Sequence, residues 1–154
     1  MLSIYIKDVR NKITKPLILS EKTNFEEVAE LFLVNNTNRT AYIVNKENKL
    51  IGYLTLKKLV KRLLIDVLDS DFYIRNGYEN YYSLSKFGTA KTVGELMETD
   101  PISIMDNDQL GIAVKIMYKF DIQELPVVNE NKEVIGDLNI LEIVLGWKQK
   151  EVIK

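Results

Sequence analysis

The chain has 154 residues, 46% of them hydrophobic and 28% charged, the composition of a globular protein long enough to bury a real core. Its net charge of −1 gives no global field to recruit nucleic acid or an acidic membrane surface, and no apolar run approaches the roughly 18 residues that would span a bilayer. Cysteine and histidine are both absent, which removes disulfides, thiol nucleophiles, thiolate and imidazole metal sites and the Ser–His and Cys–His systems. The opening Met1 to Ile6 carries no basic start and is followed by Lys7 and Asp8, so no secretory signal is read there. A cytoplasmic protein with no nucleic acid and no membrane partner is expected.

In chain order, Pro16 opens an extended segment to Ser20. Asn24 with Glu27 three residues on has the pattern of a capping box, and Val28, Leu31 and Phe32 follow at helical spacing. A strand is expected over 41–44, a polar turn over 45–49, and a second strand ending at Gly52-Tyr53-Leu54. After Thr55 a helix carries Leu56, Leu59, Val60 and Leu63. The same order returns after Pro101. Asp106 with Gln109 starts a helix with stripe Ile112, Ile116 and Met117, then come a strand over 125–128, a turn over 129–133, a strand ending at Gly136-Asp137-Leu138, and a helix after Asn139 with Ile140, Ile143 and Val144.

These are two copies of one β-α-β-β-α unit. Without a gap, Val44-Asn45 falls on Val128-Asn129, Ile51-Gly52 on Ile135-Gly136 and Leu54 on Leu138. Such a duplication places equivalent faces about a pseudo-twofold axis, so any site is expected to occur twice. The fold class is α/β, an α+β sandwich of two small sheets with helices outside. The chain divides into a first repeat with its lead-in (1–65), an insert (66–90) and a second repeat (91–154). The insert gathers Phe72, Tyr73, Tyr78, Tyr81, Tyr82 and Phe87, with Arg75 among them and a turn at Asn76-Gly77, a cluster suited to packing or to docking a partner.

Several residues have ordinary structural readings. Asn139 and Glu142 form a capping box and Thr55 is an ordinary N-cap. Lys57, Lys58, Lys61 and Arg62 read as a solvated helix face. Trp147 reads as a cap on the core or a dimer seam. Asp137, where the first copy has Tyr53, points toward the cleft if its strand alternates. Asp66, Asp69 and Asp71 read as a solvated helix end rather than a magnesium site, so no catalytic and no metal residue is assigned.

The repeated pattern, apolar-Pro126-Val-Val-Asn129, a polar turn, then Ile135-Gly136-x-Leu138-Asn139-x-x-Glu142, resembles the cystathionine-β-synthase (CBS) domain, and two copies in one short chain resemble the tandem pair called a Bateman module. Val93 to Met97 resembles the family's lead-in helix, with a weaker version at Ile6 to Val9. The resemblance implies an adenosine ligand in the cleft between the copies, with an acid accepting from the ribose diol, a hydroxyl residue near the phosphates, and apolar walls around adenine. Carried over residue by residue, Glu142 takes the acid position and Asn139 the hydroxyl position, with Ile102, Ser103, Leu125 and Pro126 as the base wall. In the first copy Thr55 keeps the hydroxyl but Lys58 replaces the acid, facing a phosphate together with Arg39. The second copy's half is expected to be the nucleoside end. The implied function is a non-catalytic regulatory module, a homodimer with no obligatory cofactor. It would bind an adenine nucleotide (AMP, ADP, ATP or related) and signal to a protein partner, with Phe72, Tyr73, Tyr78, Tyr81 and Tyr82 as the candidate docking residues. The alternative is a ligand-free scaffold for dimerisation or partner binding.

Overall fold

The computed structural model describes residues 4–65 and 89–152. The first copy's alternating apolar runs become β1 (Leu17–Ser20), β2 (Thr40–Val44) and β3 (Leu50–Thr55), separated by helix α2 (Phe25–Val34) and followed by α3 (Leu56–Ile65). A short helix, α1 (Ile6–Val9), leads in. After the insert come α4 (Val93–Leu96), β4 (Glu98–Thr99), β5 (Ile104–Met105), α5 (Leu110–Phe120), β6 (Glu124–Val128), β7 (Val134–Asn139) and α6 (Ile140–Val152). The sheets run β1-β2-β3-β4 and β5-β6-β7. In each copy the first strand is parallel to the second, the second antiparallel to the third, with a register shift at the same place, between Ile43 and Val44 and between Val127 and Val128.

Local chemistry sets the boundaries. Asn24 caps α2 by accepting from the Glu27 amide at 2.9 Å. Asn45 and Asn129 each fold the hairpin turn on their side-chain oxygen, with Asn48 and Lys132 in the left-handed region that closes it. The cap expected at Asp106 does not form. Helix α5 starts later, with Gln109 as the residue before it, because the Asp106 carboxylate is drawn into an ion pair with Arg10. The later start sets the helix phase. Leu110, Ala113 and Met117 form its buried stripe, Ile116 packs at the edge, and Ile112 faces solvent.

The lead-in helices are exchanged between the copies. Ile6 and Val9 of α1 belong to the second copy's core with Ile104, Leu110 and Leu125, whereas Val93 of α4 belongs to the first copy's core with Val28, Phe32 and Ile43. Backbone bonds fasten both: the Ile6 amide to Asp108 O at 3.0 Å and the Leu110 amide to Ile4 O at 2.8 Å, the Val93 amide to Thr23 O and the Gly94 amide to Glu21 O, both at 2.9 Å. Each copy therefore buries apolar surface of the other's lead-in, which ties the two into one cooperative unit.

The glycine of each Ile-Gly pair lies under the incoming lead-in. A Cβ at Gly52 would meet the Glu98 carbonyl oxygen at 2.7 Å, whereas one at Gly136 would meet Cδ of Arg10 at 2.6 Å. Backbone cannot retreat as a side chain can. Gly52→Ala is expected to destabilise by about 1–3 kcal/mol and Gly136→Ala by less, a ranking that urea unfolding of the two variants would check.

Candidate functional site

The crossed packing brings the second copy's strands opposite the start of the first copy's last helix. Between them lies a cavity of about 750 Å³. Its first-copy side is Arg39, Thr40, Tyr42, Tyr53, Thr55, Leu56, Lys57 and Val60, and its second-copy side is Pro101, Ile102 and the run Phe120 to Pro126. Thr55 caps α3, its hydroxyl oxygen accepting from the Lys58 amide at 3.1 Å, and the Leu56 amide donates to Arg39 O at 2.8 Å, which pins the helix start to the entry of β2. The Arg39 guanidinium donates to the carbonyls of Asn36 at 2.7 Å and Asn38 at 3.2 Å, so it is held along the cavity's margin.

One wall residue is a buried acid. Glu124 is 7% exposed; its Oε1 accepts from the Arg39 amide at 2.9 Å, and its Oε2 is shielded from water with no hydrogen-bond partner among the described residues. Burial first, and then the charge of Asp137, pushes its carboxyl up to about 7, against the lowering pull of the Arg39 and Thr40 amides and the Arg39 charge.

The pseudo-equivalent cleft is filled. By the alignment of the two copies, Pro126, Tyr53, Thr55 and Lys58 correspond to Tyr42, Asp137, Asn139 and Glu142 of the twin, and of the first four only Lys58 lies outside the open cavity's wall. The Tyr42 hydroxyl and the Thr14 hydroxyl both donate to the Asp137 carboxylate, and Asn139 Nδ2 donates to Thr14 Oγ1 at 3.0 Å. Glu142 accepts from the Ile13 amide on Oε1 and from the Asn139 amide on Oε2, both at 2.8 Å. Tyr42, Asp137 and Glu142 are each 0% exposed. Burial is the first cause of every shift in this group. Asp137 rises to about 6 despite its two hydroxyl donors, Glu142 rises despite the backbone amides around it, and Tyr42 rises well above the usual phenol value.

The expected site residues are thus divided. Ile102, Leu125 and Pro126 line the open cavity, but opposite Thr55 and Arg39 rather than beside Glu142. The reason is the crossing: strands of one copy face the helix start of the other. Asn139 and Glu142, expected at the nucleoside end, lie instead in the other cleft with their polar atoms engaged by the chain itself. Lys58 stands outside the cavity wall, its Nζ paired with Glu98 at 2.5 Å, and the neighbouring Lys57 lines the cavity instead. Ser103 is exposed and outside the wall, and Trp147 is 60% exposed rather than packed on the core. Sequence reasoning missed Glu124, Tyr42 and Tyr53. A lone acid beginning an otherwise apolar strand, Glu124 before Leu125-Pro126-Val127-Val128, was the signal available for the first. The aromatic insert residues and Asp66, Asp69 and Asp71 fall outside the described residues. Among the described residues no group of three or more acids could hold a metal ion, and no helix is long and apolar enough to cross a membrane.

The sequence model of the CBS domain matches residues 6–65 and 93–145. The chain belongs to the CBS domain family. A CBS domain-containing protein of Thermotoga maritima is 33% identical, with a TM-score of 0.73 over 96% of this chain and 97% of that one. The CBS domain pair of protein MJ0100, solved with 5′-methylthioadenosine and S-adenosyl-L-methionine, is 19% identical with a TM-score of 0.70, over 97% of this chain and 99% of that one. The pair CBSX2, solved with AMP, has the same identity of 19% and TM-score of 0.70, over 96% and 98% of the two chains. The last two share the fold of this CBS pair, with both repeats covered.

Proposed function

We propose that this CBS pair is a regulatory module that takes one adenine nucleotide into the cavity between its repeats and reports the occupancy to a protein partner, acting as a cytoplasmic homodimer. The observation that carries the reading is the cavity itself. Its volume of about 750 Å³ falls in the range of small-molecule sites, and it joins an apolar wall (Ile102, Leu125, Pro126) to a polar, basic margin (Thr55, Lys57, Arg39). A base fits the first and a phosphate the second, where the start of α3 adds its dipole. The adenosine compounds held by the MJ0100 pair and by CBSX2 support the same ligand class. Because the two sides of the cavity come from different repeats, a ligand that prefers one spacing of the repeats shifts the population toward it.

Closure of the twin cleft by Tyr42, Thr14 and Asp137 sets the expected stoichiometry at one nucleotide per chain. Calorimetric titration with AMP, ADP and ATP, alongside thermal unfolding, tests both points. Binding with unit stoichiometry and a dose-dependent rise in Tm is the expected result, since ligand at a hundred times Kd adds about 2.7 kcal/mol. A second reading, the ligand-free scaffold, draws on a specific observation: Lys58 is paired with Glu98 and Glu142 with backbone amides, so neither acid position offers a carboxylate to a ribose. Absence of any shift at millimolar nucleotide would select that reading. Exposed Val60 and Leu63 on α3, and Leu141, Val144 and Trp147 on α6, are then the surfaces to test in self-association.

A further inference from the structure

Glu124 is the unexplained group in this molecule. It is a carboxylate in the strand of Leu125, Pro126 and Val127, 7% exposed, and nothing about packing β6 calls for a charge. Its two oxygens differ. Oε1 is used by the Arg39 amide and Oε2 has no donor among the described residues, although a buried carboxylate oxygen without a partner is costly. The residue borders the open cavity, next to Ile122, Leu125 and Pro126, the apolar part of the wall. Oε2 is shielded from water, so a ligand entering there supplies the missing donor once the Glu124 side chain turns this oxygen toward the cavity.

We infer that Glu124 reads the ligand in this cleft by accepting a hydrogen from the exocyclic amino group of a purine base. The inference rests on the nucleotide reading above and narrows it. A single vacant oxygen beside an apolar wall suits one amino N–H on a flat ring. A ribose diol calls for both oxygens of a carboxylate, and here one is taken. A purine with a carbonyl at that position would set oxygen against oxygen, so the cleft rejects it by leaving a buried acceptor unpaired.

The test compares AMP with IMP, and with 2′,3′-dideoxy-AMP, by calorimetry at pH 8 on the wild-type chain and on Glu124→Gln. The wild type is expected to bind AMP at least about ten-fold more tightly than IMP and to be nearly indifferent to loss of the sugar hydroxyls. In Glu124→Gln the amide oxygen keeps the Arg39 bond and the NH₂ faces the ligand as a donor, so the preference for AMP disappears or reverses toward IMP. Equal binding of AMP and IMP by the wild type overturns the inference while leaving the proposed function standing. So does an unchanged preference in a folded Glu124→Gln, or a loss confined to the dideoxy compound, which would make Glu124 a sugar-binding group. If none of the three nucleotides binds, the proposed function fails and this inference falls with it.

Discussion

Replacing Asp137 by alanine is expected to lower stability by about 3–4 kcal/mol, the largest loss for any single polar side chain here. Asp137 is fully buried and accepts the hydroxyl hydrogens of both Thr14 and Tyr42, one from the lead-in segment and one from β2 of the opposite repeat. Its own amide is also tied to the lead-in, donating to Asn11 Oδ1 at 2.8 Å. Alanine removes two charge-assisted bonds, strands two hydroxyls in a dry interior and leaves a void between the repeats. Asp137→Asn keeps an oxygen for one hydroxyl and an NH₂ that the other can accept, so a loss nearer 1 kcal/mol is expected. Tyr42→Phe removes one bond and should fall between them. Urea unfolding at pH 8 ranks the three, with m unchanged if the native fold persists. An Asp137→Ala midpoint close to that of the wild type would mean that the network fills the twin cleft without holding the repeats together.

The order of elements was legible because it rests on local signals. Thr55 and Asn139 mark helix starts by capping, Asn45 and Asn129 mark turns, and the gapless match of the two copies confirms one through the other. The exchange of the lead-ins was not legible, because Ile6 and Val93 look alike as apolar residues whichever core receives them. That exchange also fixes which side chains share a cleft. The motif positions Asn139 and Glu142 were read correctly as helix-capping residues, but their partners Ile13 and Thr14 are distant in sequence and carry no periodic signal. Nor does any spacing show that Tyr42 and Asp137, each unremarkable alone, meet across the pseudo-twofold axis and fill one of the two clefts.

The same buried acids give the protein an inverted response to pH. Stability is expected to fall, not rise, as pH increases from about 5 to about 7.5. Asp137 titrates at about 6 in the fold against 3.8 when solvated, and Glu124 at about 7 against 4.5. Between the unfolded and folded values the native state holds the proton more tightly than the unfolded chain does. Stability is therefore fully present below the unfolded values and is lost as pH passes through the folded ones. Raised carboxyls of this size contribute on the order of 2–3 kcal/mol each, and the two are neighbours, so the effect is shared rather than additive. The groups facing Glu124 are Asp137 from β7, which opposes its ionisation, and Arg39 before β2, which favours it. Glu124→Gln removes one titration and relieves Asp137 of a neighbouring charge. The variant is expected to be more stable than the wild type at pH 8, equal near pH 5, and to have a shallower profile between. Urea midpoints at half-unit steps from pH 4.5 to 8.5 decide it. A flat wild-type profile, or one that climbs with pH, would mean that water reaches Glu124 and Asp137 and that the interior between the repeats is wetter than their burial implies.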